Sequence, residues 1–243
     1  MNLVVNLQKQ ITYLQHYTFY RLSSKILEWC VMLEFHAKPA DKKDKIMNLK
    51  YAVNYISEDE YLEGEKISDV KHEYIDGEVW AMAGASLRHN IITSTVSRHF
   101  GNHLEGTRCT AVSSDLKVKT NDCFFYPDVV VLCSDENEHN DFTDKPLIIV
   151  EVLSKNTRKT DQTIKMVAYK TLPSLQEYVL IEQDFAEVEV CRRNNNWISE
   201  RYFLGDDVTF ESIELMLSVE TIYNRVQNED ILEFLQAKTQ ETK

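Results

Sequence analysis

A chain of 243 residues with 43% hydrophobic content has material for a packed core and room for one main domain. Its formal net charge of −12 excludes a protein that merely coats nucleic acid, which would rest on a basic surface. Five scattered cysteines (Cys30, Cys109, Cys123, Cys133, Cys191) without a C-x-x-C pair exclude a zinc ribbon and a disulfide framework, so reduced thiols in the cytoplasm are expected. With no run of 18 apolar residues and no secretory leader, neither export nor a membrane partner is expected.

The first 50 residues carry eight Lys or Arg against four Asp or Glu, net +4, which leaves −16 for residues 51–243. Such a shift marks a boundary. Leu22, Ile26, Trp29 and Leu33 recur at helical spacing before the polar stretch from Lys38 to Lys45. Residues 1–46 are therefore expected as an N-terminal extension or accessory helix, and residues 47–243 as the main domain.

Ser57-x-x-Glu60 before Tyr61 and Leu62 is a capping box that opens a short helix. Tyr74 to Met82, with Asp76-Gly77 at its centre, predicts two short strands and a tight turn. Ser86 to Leu104 predicts a helix with Ile91, Ile92, Val96, Phe100 and Leu104 on one side. Cys109 to Lys119 alternates weakly and predicts a strand. Phe124 to Tyr126 leads through Pro127-Asp128 into the apolar run Val129 to Leu132, and Leu147 to Val150 runs into Glu151, Val152 and Leu153. Thr160 to Thr171 predicts a helix, with Pro173 beyond its end. Strands are expected over Glu177 to Ile181, Glu187 to Arg192 and Trp197 to Phe203, the last two joined across Asn194 to Asn196. Ser218 to Val226 and Asp230 to Ala237 predict closing helices.

Two of these strands carry an acid where a core strand should be apolar. The length and β-branched content of Leu147 to Val152 suit a strand buried on both faces, and an ionised carboxylate withdrawn from water is costly unless paired or bound to a metal. Glu151 is therefore either neutralised by a cation or protonated, unless the strand end bends it out to solvent. Asp128 repeats the pattern, because Asp is unfavourable inside a strand and Pro127 cannot donate to a ladder. The plain alternative there is a Pro-Asp turn. Together the two acids form a candidate site for a divalent cation. His99 and His103 have metal-capable spacing, but no third ligand accompanies them and they are read as surface residues.

The succession HEYIDGEVWAMAGAS-x-x-H, YPDVVVL, IIVEVLS-x-x-T and D-x-x-x-K-x-x-x-Y resembles the Uma-two family of restriction-endonuclease-like proteins, within the PD-(D/E)xK nuclease superfamily, over about residues 55–225. The resemblance implies an α/β (α+β) fold, with a mixed central β-sheet flanked by helices and a divalent-metal site at the sheet's open end. Asp128 and Glu151 match the metal-binding acids, and Glu73 matches the acid supplied before the first strand. The superfamily's lysine would stand two residues after Glu151, where this chain has Leu153. Lys165, four residues after Asp161 and four before Tyr169, matches the lysine that the resembling family carries on the following helix; on spacing alone it is equally a surface lysine paired with Asp161. His89 stands in the family's Ser-x-x-His position, and Ser154 opens SKNT where the family usually continues with Pro.

These residue types suit phosphodiester hydrolysis with Mg²⁺ or Mn²⁺ held by Asp128 and Glu151, Glu73 at a second ion or orienting water, and Lys165 stabilising developing charge. His89, Ser154, Asp161 and Tyr169 are possible accessories. The expected protein is a homodimeric metal-dependent endonuclease acting on DNA. The alternative is a noncatalytic DNA-binding or interaction module that keeps the fold.

Overall fold

The computed structural model describes residues 55–133 and 141–241. The domain boundary at Met47 and the helix expected over residues 22–33 lie outside the described residues.

Helix α1 (Glu58–Glu65) opens with the expected capping box: the Ser57 side chain accepts from the Glu60 N–H, and the Glu60 carboxylate accepts from the Ser57 N–H at 2.9 Å. Strands β1 (His72–Ile75) and β2 (Glu78–Ala81) form the expected hairpin. Asp76 and Gly77 both adopt positive φ, 45° and 85°, as a two-residue turn between right-twisted strands requires. A Cβ on Gly77 would also lie 2.1 Å from the Tyr55 ring, so space and backbone both demand glycine there. Helix α2 (Leu87–Leu104) is capped by Ser86 and buries Ile92, Val96, Phe100 and Leu104.

The segment expected as one strand after Cys109 is two, β3 (Thr110–Ser113) and β4 (Lys117–Lys119), because Ser114 turns the chain at φ 65°. Strands β5 (Cys123–Phe125) and β6 (Val129–Leu132) are likewise separated by Pro127, and they belong to different sheets. Next come β7 (Phe142–Thr143) and β8 (Ile148–Leu153), the latter buried along its whole length. The helix expected from Thr160 is composite. Helix α3 (Arg158–Thr160) passes through a π-helical turn (Asp161–Lys165) into α4 (Met166–Lys170). Strands β9 (Glu177–Glu182), β10 (Glu187–Arg192) and β11 (Ser199–Phe203) follow, β11 starting late because Asn196 and Trp197 have positive φ. Strands β12 (Asp207–Phe210) and β13 (Leu215–Ser218) pair with each other. Helix α5 (Val219–Ile222) is shorter than the pattern predicts, and α6 (Glu229–Glu241) closes the described chain.

Among the described residues the strands form three sheets. The large one has the order β11-β10-β9-β8-β6-β3, with only the β8–β9 pair parallel. One of its faces packs on α2, β12, β13 and α5 through a core that includes Val96, Phe100, Val150, Val179, Phe210 and Ile222. Its other face, with Ile149, Leu153, Tyr178 and Leu180, meets Tyr169 of α4 and Phe125 and Val118 of a smaller sheet. That sheet has the order β2-β1-β5-β4-β7, and its far side is closed by α1 through Tyr61, Tyr74 and Phe124. Alternation along β8 sends Ile148, Val150 and Val152 to the first core and Ile149 and Leu153 to the second.

The expectation that all thiols stay reduced is corrected. Antiparallel pairing of Thr110 with Leu132 brings the next residues outward, Cys109 and Cys133, together as a cross-strand disulfide. Pairing across strands is a property of register, which spacing along the chain does not display.

Candidate active site

Glu151 follows the parity of Ile149 and Leu153 and so faces the second core. Strand β6 lies antiparallel to β8 with Val129 opposite Val150, which sets Asp128, one residue before β6, opposite Glu151. The Val152 N–H donates to Asp128 Oδ2 at 2.7 Å, so the edge of β8 itself orients that carboxylate. Pro127 is where the chain crosses from the small sheet to the large one, and the acid after it is presented between them.

Lys165 reaches the same place from the π-helical turn. Its Nζ lies 2.8 Å from Glu73 Oε1, 3.1 Å from Glu151 Oε1 and 3.1 Å from Asp161 Oδ1. The Asp161 contact is an ion pair without hydrogen-bond angles, since Asp161 Oδ1 otherwise takes no hydrogen bond. Lys165, Glu151 and Asp161 are only 4%, 3% and 1% exposed. The lysine is therefore a buried cation among three acids, and its reading as a surface residue is corrected. Residues 161, 165 and 169 are spaced by four, and a purely α-helical path would drift round the axis over that distance. The wider π turn rotates the chain less per residue and offsets the drift, so Asp161, Lys165 and Tyr169 all point inward. Tyr178 holds the turn by donating its hydroxyl to the Asp161 carbonyl at 2.9 Å.

The remaining accessories divide. Tyr169 donates its hydroxyl to Glu151 Oε1 at 3.1 Å, and His89 Nε2 stands 3.2 Å from Asp128 Oδ2 with Nδ1 buried and unpartnered among the described residues. Both belong to the cluster. Ser154 does not, because its hydroxyl turns to Thr157 in a local loop, 3.1 Å from Oγ1. Glu73 accepts from the Tyr126 N–H at 3.4 Å as well as from Lys165, which makes it the partner of the lysine. That backbone support, like the Val152 N–H at Asp128, comes from strand pairing and leaves no trace in residue type. His103 Nε2 is 2.7 Å from the Ile213 carbonyl, a structural contact.

Burial pushes the Glu151 carboxyl well above its ordinary value of 4.5; Lys165 opposes this, while Asp161, Asp128 and Glu73 add to it. Burial alone would lower the Lys165 ammonium, but Glu151, Glu73 and Asp161 together hold it well above 10.5. Glu151, Glu73 and Asp161 thus crowd around a single ammonium, with Asp128 close by, a shortage of positive charge that a cation could relieve. The donor chemistry fits a hard ion. Asp128 Oδ1 and Glu151 Oε2 take no hydrogen bond from another described residue. No three His, Cys, Asp or Glu side chains among the described residues are grouped to hold an ion unaided. Mg²⁺ uses one or two carboxylates and retains several waters, a demand that Asp128 and Glu151 meet without a third acid, while Glu73 contacts Lys165.

A mixed sheet that sets an acid at the start of one strand against an acid in its neighbour, with a lysine closing on them, defines a protein of restriction-endonuclease-like class. The chain belongs to the Uma2 family, described as "Putative restriction endonuclease", whose model matches residues 58–220. It is 35% identical over 173 residues to the uncharacterized protein slr1290 of Synechocystis sp. (strain ATCC 27184 / PCC 6803 / Kazusa), a match covering 69% of this chain and 91% of that one. Identity to the uncharacterized protein sll1609 of the same organism is 33% over 168 residues, 65% of this chain and 90% of that one. The fold is shared with a crystal structure described as "a putative nuclease belonging to DUF820" from Anabaena variabilis ATCC 29413, at TM-score 0.61 and 20% identity, over 71% of this chain and 99% of that one.

Proposed function

We propose that the chain is a metal-dependent endonuclease that hydrolyses phosphodiester bonds of DNA. The observation that carries this reading is the placement of Asp128 opposite Glu151 with the Lys165 ammonium 3.1 Å from the latter. Asp128 and Glu151 are the residues that would hold Mg²⁺ or Mn²⁺, and the ion, when bound, supplies a polarised phosphate oxygen and an activated water. The Lys165 ammonium offsets negative charge that develops on the phosphoryl oxygens. Glu73 and Asp161 hold that ammonium in place from two sides, and Tyr169 fixes the rotamer of Glu151. His89 and the Val152 N–H orient Asp128.

Cutting both strands of a duplex calls for paired sites, so the acting form is taken as a homodimer. No described helix is long and apolar enough to cross a membrane. The location proposed is the cytoplasm, where the Cys109–Cys133 bond would be open to reduction.

Plasmid incubated with the purified chain should be nicked or linearised in Mg²⁺ or Mn²⁺ and left intact in EDTA. Asp128→Asn and Glu151→Gln should abolish the products. If no nucleic acid is cut, and millimolar metal shifts the melting temperatures of wild type and the double variant equally, the noncatalytic module is the correct reading.

A further inference from the structure

Strand β2 is the outer edge of the small sheet, and its register with β1 places Trp80 directly opposite Glu73. Directly paired residues share a face of the sheet. The opposite face is identified by Tyr74 and Val79, a register pair that packs with Tyr61 and Phe124 against α1. Trp80 and Glu73 therefore face the second core, where Glu73 meets Lys165. Continuing the pairing of Tyr74 with Phe124 sets Phe125 beside Glu73, and Lys165 Nζ lies 5.7 Å from the Phe125 ring. One cross-strand row thus runs Trp80, Glu73, Phe125, from the sheet edge to the buried lysine. Its outermost member is an indole left 40% exposed, one strand further out than Glu73.

We propose that Trp80 is a substrate-positioning residue that stacks on an unpaired nucleobase next to the scissile phosphate. This rests on the nuclease reading and adds the class of substrate: nucleic acid whose bases are exposed at the cut, either single-stranded or locally opened. The charge distribution supports stacking over backbone contacts as the source of affinity. Arg158 is held by Glu182, Lys119 by Glu58 and Lys71 by Asp115, in a chain of net charge −12. A base presents a π-face whatever its sequence, and stacking on an aromatic side chain needs no positive surface.

The experiment uses the full chain carrying Glu151→Gln as a non-cutting trap. Binding of fluorescent oligonucleotides is measured by anisotropy for a single strand, a duplex with a short central gap, and a fully paired duplex of the same sequence. Trp80→Ala should weaken the single strand and the gapped duplex by roughly 5- to 150-fold, the range of one base–aromatic stack. The paired duplex should change less than 2-fold, and Trp80→Phe should restore most of the loss. With Trp80 intact, moving an abasic site along the single strand should reproduce that loss at one position, and there Trp80→Ala should add nothing. The proposal is overturned if the trap binds nucleic acid and Trp80→Ala leaves all three affinities unchanged or lowers them equally. It is overturned as well if no abasic position matters. If the trap binds none of the three, the stacking proposal falls, and the nuclease reading falls with it only if the wild-type chain also fails to cut plasmid in Mg²⁺ or Mn²⁺.

Discussion

Replacing Lys165 by Met keeps an unbranched side chain one atom shorter and removes its charge, and the consequence can be worked from the three contacts at 2.8, 3.1 and 3.1 Å. Because the lysine and two of its acids are almost fully buried, water cannot take its place. Removing one partner from a buried charge cluster costs about 3–5 kcal/mol, against at most about 1 kcal/mol for a surface pair. The raised lysine contributes its stability throughout the range below its ordinary value of 10.5 and loses it only at higher pH. The loss should therefore be full at pH 7 and shrink toward pH 4, as the orphaned acids take up protons. Denaturant unfolding at 25 °C in EDTA, over pH 4–9, measures it. Adding Glu151→Gln should recover about 1–3 kcal/mol, the coupling expected of residues in direct contact. A cost under about 1 kcal/mol at pH 7, or no recovery in the double variant, would refute the argument that Lys165 is buried among the acids.

Glu151→Gln alone should be more stable than wild type at pH 7 in the absence of metal. An acid whose folded-state value is raised stabilises below its ordinary 4.5 and destabilises as pH climbs toward the folded value, so the gain should fade toward pH 4 in the same unfolding series. Gly77→Ala should lower stability by more than about 1 kcal/mol, since φ is +85° and the Tyr55 ring occupies the space; a thermal melt matching wild type would contradict the turn geometry. Cys109→Ser should cost about 3.5 kcal/mol, the loop-closure value for a separation of 24 residues, and dithiothreitol should then destabilise wild type but not the variant. Arg192→Met should cost about 3–5 kcal/mol, because that buried guanidinium donates to Glu177 at 3.2 Å and Glu200 at 2.6 Å; an unchanged denaturation midpoint would show those acids to be solvated.

The sequence by itself determined which segments form most elements and which acids are costly to bury. The capping box at Ser57, the Asp76-Gly77 hairpin, the α2 stripe and the apolar runs of β6 and β8 are local matters of period and turn chemistry, and each stands where its residues predict it. Glu151 was legible as a buried acid because nothing else interrupts its run, whereas Lys165 came from the family resemblance, since its spacing from Asp161 and Tyr169 alone left it equally a surface lysine. The tertiary structure alone decided what depends on register between distant strands. It set Asp128 against Glu151 and supplied the Val152 and Tyr126 N–H groups that orient Asp128 and Glu73. It made Glu73 the lysine's partner, joined Cys109 to Cys133, and lined Trp80 up with the site. Backbone donors and cross-strand neighbours are interchangeable in residue type, so only the pairing of strands distinguishes them. The π turn lies between these cases: its residues advertise a helix, but the buried contacts of Asp161, Lys165 and Tyr169 are met only once the helix widens over them.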